Sequence, residues 1–484
     1  MAVDAASRGA RGGRVTVLGQ VAKALLQMVS VVVLSRLLPP SDFGLIAMVT
    51  VVVSLGELLR DFGMTTSGLR ARKLTHAQGS NLFWVSSALG LVASLLVAAS
   101  APLLVLVYNE PRLYVLTPVL AITVLIHGSQ AQLQVQLARA HKYGTLVLTD
   151  LAAQALALGV AVGGVLAGWG YWALAAQSLT AALALLVLRW FASGWVPALP
   201  ARGVGSKPLL VSGAHFGLAY GLQFVASNTD AVMIGALWGA GPLGLYNRAF
   251  QLLTMPVSKL LSPLMNVVVP TMNAVRDEGG DVQRRYLRIQ SIVGLVIVAV
   301  FAVAGGSAAA LIPLALGSQW VGSVPIFQIL SVGGLVLGLS QVSYWIFVTE
   351  GKSRELLKYN LVTKPMTVLL VVVGSLFSVE GAAWGYAVAL LLSWPINVVW
   401  LWKTAGIDGP KFLVNGFRLV AAGLLAGLAA MTVPLGGVAD SLFLATCARA
   451  IVAFVVYVAA VAVFPGGRRD LRLAVRFAAR MVRR

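Results

Sequence analysis

The chain has 484 residues, 59% of them hydrophobic and only 11% charged. A soluble domain carries about twice that share of charge, so a water-soluble enzyme or binding module is excluded. The net charge of +20 does not point to nucleic acid, because the basic residues sit in short breaks between long apolar runs.

Runs of about 20 residues or more match a helix crossing a hydrocarbon core of about 30 Å. They are too long for barrel strands, which leaves helices as the structure able to satisfy its own backbone in lipid. The spans fall near 15–38, 42–64, 79–107, 112–138, 145–168, 169–192, 208–238, 242–275, 282–306, 323–350, 353–377, 380–404, 411–434 and 440–465. The expected fold is an all-α polytopic membrane protein of 14 transmembrane helices. The first span follows a small, basic N-terminus and shows no cleavage site, so it reads as a retained helix rather than a signal peptide. Gly168-Trp169-Gly170 sets the division between the fifth and sixth spans, since Gly and Trp favour a turn at an interface.

Charge tests this layout. An even helix count puts both termini on one side, and most of the 36 basic residues fall there, in the N-terminus, every second break and the tail. By the positive-inside rule that side is cytoplasmic. Arg36 and Arg112 fall opposite, while Lys23, Arg248, Lys259, Lys364 and Arg449 fall inside spans. A wrong helix count would invert the pattern partway along the chain.

Two halves share signals. Leu37, Gly44 and Leu45 match Leu237, Gly244 and Leu245 at a constant offset, and Trp169-Gly170-Tyr171 recurs as Trp384-Gly385-Tyr386. The expected organisation is an N-lobe at 1–205 with helices 1–6, a C-lobe at 206–405 with helices 7–12, a helix pair at 406–465, and a tail at 466–484. Residues 193–207 have the Pro, Gly and basic content of a linker. In the tail, Arg472, Arg476, Arg480 and Arg484 recur every fourth position beside an apolar face, which predicts an amphipathic helix drawn to anionic inner-leaflet lipid.

Catalytic signatures are absent. Gly351-Lys352-Ser353 lacks the earlier glycine of a phosphate-binding loop, and the four His have no metal-ligand spacing. The one Cys, Cys447, admits no intrachain disulfide. Neither an enzymatic role nor a metal or other cofactor is expected.

A charge at the centre of a span costs at least about 2.5–3.5 kcal/mol, so such residues normally face a cavity or a partner. Lys23, Arg248 and Lys364 are the candidate contacts of a cationic cavity suited to an anionic substrate. Each could instead snorkel or form an isolated ion pair. Asp230 either pairs with Arg248 or titrates to couple transport to an ion. Gln130, Gln134, Asn228 and Gln251 are candidate sugar contacts, with helix–helix bonding the alternative for the first two. His215 reads as a satisfied polar residue. Glu57 and Arg60 can pair at three-residue spacing.

Residues Arg36–Met48, Phe83-Trp84, Gly170–Leu174 and Gly244–Phe250 resemble the Wzx-type, WzxC-like polysaccharide flippases of the MOP superfamily, which also holds MATE drug exporters and lipid II flippases. That resemblance implies a multi-pass protein of the bacterial cytoplasmic membrane. It would flip a polyprenyl-diphosphate-linked, anionic glycan by rocking two lobes about a central cavity, in company with polysaccharide assembly enzymes. Cationic drugs as cargo would call for carboxylates in the spans, where basic residues predominate. A lipid II flippase shares the required charge. A membrane glycosyltransferase or polymerase should carry acidic or His residues in an outer loop, and none is evident.

Overall fold

The computed structural model describes residues 2–61, 74–201, 224, 227–277, 281–434, 441–464 and 466–472. Among them all regular structure is helical. The helices are α1 (Ala2–Leu37), α2 (Pro40–Asp61), α3 (His76–Ala99), α4 (Ala101–Tyr108), α5 (Leu113–Arg139), α6 (Tyr143–Leu166), α7 (Tyr171–Ser193), α8 (227–238) and α9 (Ala240–Asp277). They continue with α10 (Val282–Leu316), α11 (Ser323–Gly334), α12 (Leu337–Thr349), α13 (Ser353–Ser375), α14 (Val379–Ala405), α15 (Gly409–Met431) and α16 (Leu442–Val463).

Twelve spans among the described residues are long and apolar enough to cross a membrane. The predicted span at 208–238 falls mostly outside the described residues. The span predicted at 242–275 is helical as α9, which is not among those twelve. The division at 168/169 is present. Gly168 and Gly170 take φ of +80° and +55°, a region open mainly to glycine.

Two predicted helices are broken. The span at 79–107 is α3 and α4, interrupted at Ser100, where Pro102 follows at the start of α4 and brings no N–H. The backbone N–H of Ser100 still donates to Leu96 and Val97, so the break leaves that donor satisfied. The span at 323–350 is α11 and α12, joined through Leu335 and Val336 just after Gly333-Gly334.

Capping follows local chemistry. Thr75 and Gln78 form a reciprocal capping box at the start of α3. Asp281, Ser378, Asp408 and Ser441 accept backbone N–H bonds at the starts of α10, α14, α15 and α16. In the turn before α5, Arg112 donates to Glu110 through Nε and Nη2, both at 2.8 Å. The Glu110 carboxylate thus neutralises Arg112, one of the two basic residues expected on the side poor in positive charge. In return the guanidinium holds the Glu110 carboxyl below its ordinary range. That small contribution, under about 1 kcal/mol for an exposed pair, is present above the ordinary Glu range and is lost as pH falls through the lowered value.

The chain divides into two compact units, Met1–Gly244 and Leu245–Arg484. This packing boundary lies later than the 205/206 lobe boundary read from the linker, because α8 packs in the first unit, where Gly235 lies against the Tyr108 ring. In that unit α3 packs on α5, α6 on α7, α5 on α7 and α1 on α6. The matched turn glycines meet reciprocally: a Cβ on Gly44 would lie 1.7 Å from the Ala240 carbonyl oxygen, and one on Gly244 would lie 1.9 Å from that of Pro40.

The second unit is built around α10, which packs on α11, α15 and α16, while α13 pairs with α14. In the final described stretch, Asp470 binds Arg418 of α15 at 2.5 Å, each side chain being only 13–14% exposed. Arg418 also reaches Asn415, which bonds Gln290 and Ser291 of α10. The amphipathic tail lies mainly outside the described residues, but its root at 466–472 is thereby tied to the bundle. Asp470→Asn leaves a mostly buried guanidinium without its counter-charge, and about 2 kcal/mol of stability should be lost. Thermal melting of the detergent-solubilised protein checks this.

Candidate functional site

In the first unit, a hydrogen-bonded cluster around one carboxylate joins four helices. Asp150 of α6 binds Lys23 Nζ of α1 through Oδ2 at 2.9 Å and Arg189 Nη2 of α7 through Oδ1 at 2.6 Å. Arg189 Nη1 donates to Gln134 Oε1 of α5 at 3.0 Å. The Arg189 side chain is 5% exposed, against 37% for Lys23. The triad carries a formal +1.

This arrangement bears on three residues read from the sequence. Lys23 takes the ion-pair alternative, sharing the Asp150 carboxylate with Arg189. Arg189, near the end of the span predicted at 169–192, is buried within α7. Gln134 is engaged by a guanidinium, so its oxygen is already an acceptor. Asp150 is the functional candidate that sequence reasoning missed. Its signal was Asp150 and Gln154 at four-residue spacing, on one face of an otherwise apolar helix.

A second cluster joins α2 to α5. Glu57 Oε1 lies 2.7 Å from His127 Nδ1, and Arg60 Nη1 donates to the His127 carbonyl at 2.7 Å. The expected partner of Glu57 within its own helix is thus replaced by a residue across the helix pair. Gln130 is buried with its Oε1 unbonded.

In the second unit, Arg248 is 7% exposed. Its guanidinium carbon lies 5.3 Å from the centre of the Trp320 ring, and Nη1 donates to Gln251 Oε1 at 2.6 Å. The i, i+3 spacing on α9 makes the second contact, and the turn of 3₁₀ helix at Ser318–Trp320 supplies the ring. Lys364 is half-buried in α13, next to Pro365, which cannot donate to the carbonyl one turn back. Among the described residues Lys364 has no hydrogen bond or ion pair.

The other predicted residues fall as follows. Asp230 is buried, and Oδ1 accepts from the N–H of Ala231 at 2.9 Å. Asn228 Nδ2 donates to the Phe224 carbonyl at 2.8 Å. Lys259 is exposed. Arg449 donates through Nε and Nη2 to the Val433 carbonyl just after α15, a structural cap. His215 lies outside the described residues. Among the described residues no three His, Cys, Asp or Glu side chains gather as metal ligands.

Twelve helices among the described residues long and apolar enough to cross a membrane define a polytopic helical membrane protein. The fold is that of solved MOP-superfamily proteins. It is similar to the lipid II flippase MurJ in an inward closed conformation, with a TM-score of 0.73 at 11% identity over 94% of this chain and 99% of that one. It is also similar to an inward-facing multidrug resistance MATE transporter, with a TM-score of 0.57 at 15% identity over 83% and 95% of the two chains.

The chain belongs to the polysaccharide biosynthesis protein family, whose model matches residues 33–325. It is 23% identical to the lipopolysaccharide biosynthesis protein WzxC of Escherichia coli K12, over 77% of this chain and 76% of that one. It is 24% identical to the teichuronic acid biosynthesis protein TuaB of Bacillus subtilis 168, over 80% of each. It is likewise 24% identical to the succinoglycan biosynthesis transport protein ExoT of Rhizobium meliloti 1021, over 64% and 63%.

Proposed function

We propose that this chain is a flippase, not an enzyme, that carries polyprenyl-diphosphate-linked oligosaccharide across the cytoplasmic membrane. The observation that carries this reading is membership of a polysaccharide biosynthesis family by a chain with an exporter fold. Intramembrane cations add the chemistry. A diphosphate needs charged N–H donors, and Arg248, Lys364 and the open side of Lys23 supply them. The lipid tail can stay in the bilayer while the head group crosses.

In this reading the two lobes, 1–205 and 206–405, rock about the head group. The helix pair at 406–465 is an addition to the two lobes, and both termini face the cytoplasm. The basic tail rests on anionic inner-leaflet lipid, and polysaccharide assembly enzymes supply and consume the cargo. Asp230 pairs with Arg248 or couples transport to an ion.

Deletion of the gene should leave lipid-linked saccharide on the cytoplasmic face and remove the finished glycan from the cell surface. Solvent extraction of lipid-linked saccharide and surface glycan assay measure the two. Normal surface glycan with no accumulated intermediate would overturn the proposal.

A further inference from the structure

The Lys23–Asp150–Arg189 triad is asymmetric in a way that bears on how cargo is held. Arg189 is nearly closed to its surroundings and bonded to two other helices, through Asp150 of α6 and Gln134 of α5. Lys23 is over a third exposed, and among the described residues Asp150 is its one partner. An ammonium has three N–H donors, so two remain for another acceptor. Arg189 Nε is buried and unbonded. The cluster therefore holds more donors than acceptors, which suits an oxygen-rich anion. Lys23 is also the movable member, being a point charge on a flexible four-carbon stem.

We propose that Asp150 is the built-in competitor of the substrate's diphosphate for Lys23. This rests on the flippase reading above and names a regulator of the same site. When a head group arrives, Lys23 turns from Asp150 to a phosphate oxygen. Arg189 keeps Asp150 paired, so no buried carboxylate is left alone. On release, Asp150 takes Lys23 back and lowers the affinity for the departing anion. Without Asp150 the cluster carries +2 and holds its cargo too long. Asp150 is thus a positioning residue that sets affinity and release.

The test uses the full-length protein in nanodiscs, with polyprenyl diphosphate as the probe and polyprenol as the uncharged control. Asp150→Asn should bind polyprenyl diphosphate about tenfold more tightly, as loss of one competing charge nearby implies, while glycan export in cells falls. In a Lys23→Gln background the same change should alter affinity by less than about twofold. Polyprenol affinity should not move.

An unchanged or weakened affinity in Asp150→Asn overturns the proposal. So does a gain that persists without Lys23, or an equal gain for polyprenol. Asp150→Ser is carried alongside. If neither variant folds, as judged by size-exclusion profile and melting, the triad is purely structural and the proposal fails. A chain that exports glycan normally, yet whose diphosphate affinity ignores Asp150, loses this inference and keeps the flippase reading.

Discussion

Replacing Arg248 by Met is expected to leave a folded, inserted protein that exports no measurable glycan. Met fills much of the space of the arginine stem without its charge, so the burial beside Trp320 is largely kept. What disappears is a guanidinium stacked on an indole and aimed by Gln251. A desolvated cation–π contact is worth about 2 kcal/mol, which spent on orientation fixes the fork for a phosphate. Arg248→Lys should rescue poorly, since an ammonium neither stacks nor presents a planar pair of donors. Lys364→Ala should lower export at least about tenfold, equivalent to about 1.4 kcal/mol, with little effect on folding because Lys364 has no partner to abandon among the described residues. Surface glycan normalised to membrane-inserted protein measures all three. Wild-type export from both Arg248→Met and Lys364→Ala would remove the cationic-site reading.

Gly385→Leu should abolish folded protein altogether. A Cβ at Gly385 would lie 2.2 Å from the Leu370 carbonyl oxygen and 3.0 Å from the Val371 Cα, both backbone. One turn away the approach is mutual: a Cβ on Gly374 would meet the Gly381 carbonyl oxygen at 2.1 Å, and one on Gly381 would meet that of Gly374 at 2.3 Å. In lipid, helices associate through such close packing because burial of apolar surface adds little. Backbone cannot rotate aside as a side chain can, so α13 and α14 must separate, at a cost of at least about 3 kcal/mol. Gly385→Ala should already lower the melting temperature clearly. The monodisperse fraction after solubilisation reports the outcome, and normal yield from Gly385→Leu would refute this account of the helix pair.

Most of the architecture was legible because bilayer thickness imposes a length on each apolar run and the basic breaks mark alternate ends. The Gly168–Gly170 turn was readable for the same reason: residue type and backbone conformation agree. Ser100 and Leu335 were not. Both breaks fall within continuous apolar sequence, and only packing against neighbours distinguishes a kinked span from a straight one. Arg248 could be placed with Gln251 from helical spacing alone, whereas Trp320 arrives from a distant turn. The triad is the instructive miss. Lys23, Asp150 and Arg189 come from three helices, and hydropathy reports how deep a residue lies but not toward which neighbour it turns. Arg189 near the end of its span looked like an ordinary inner-side charge. Glu57 likewise had a plausible partner in its own helix and found His127 in another.

The reciprocal seating of Gly44 beneath Ala240 and of Gly244 beneath Pro40 makes the two turns genetically interdependent. Enlarging either residue pushes apart the same two backbones, and once they have parted, the second enlargement meets open space. Damage at the two sites is therefore epistatic: the double variant should be scarcely sicker than the worse single one, as if one locus had been struck twice.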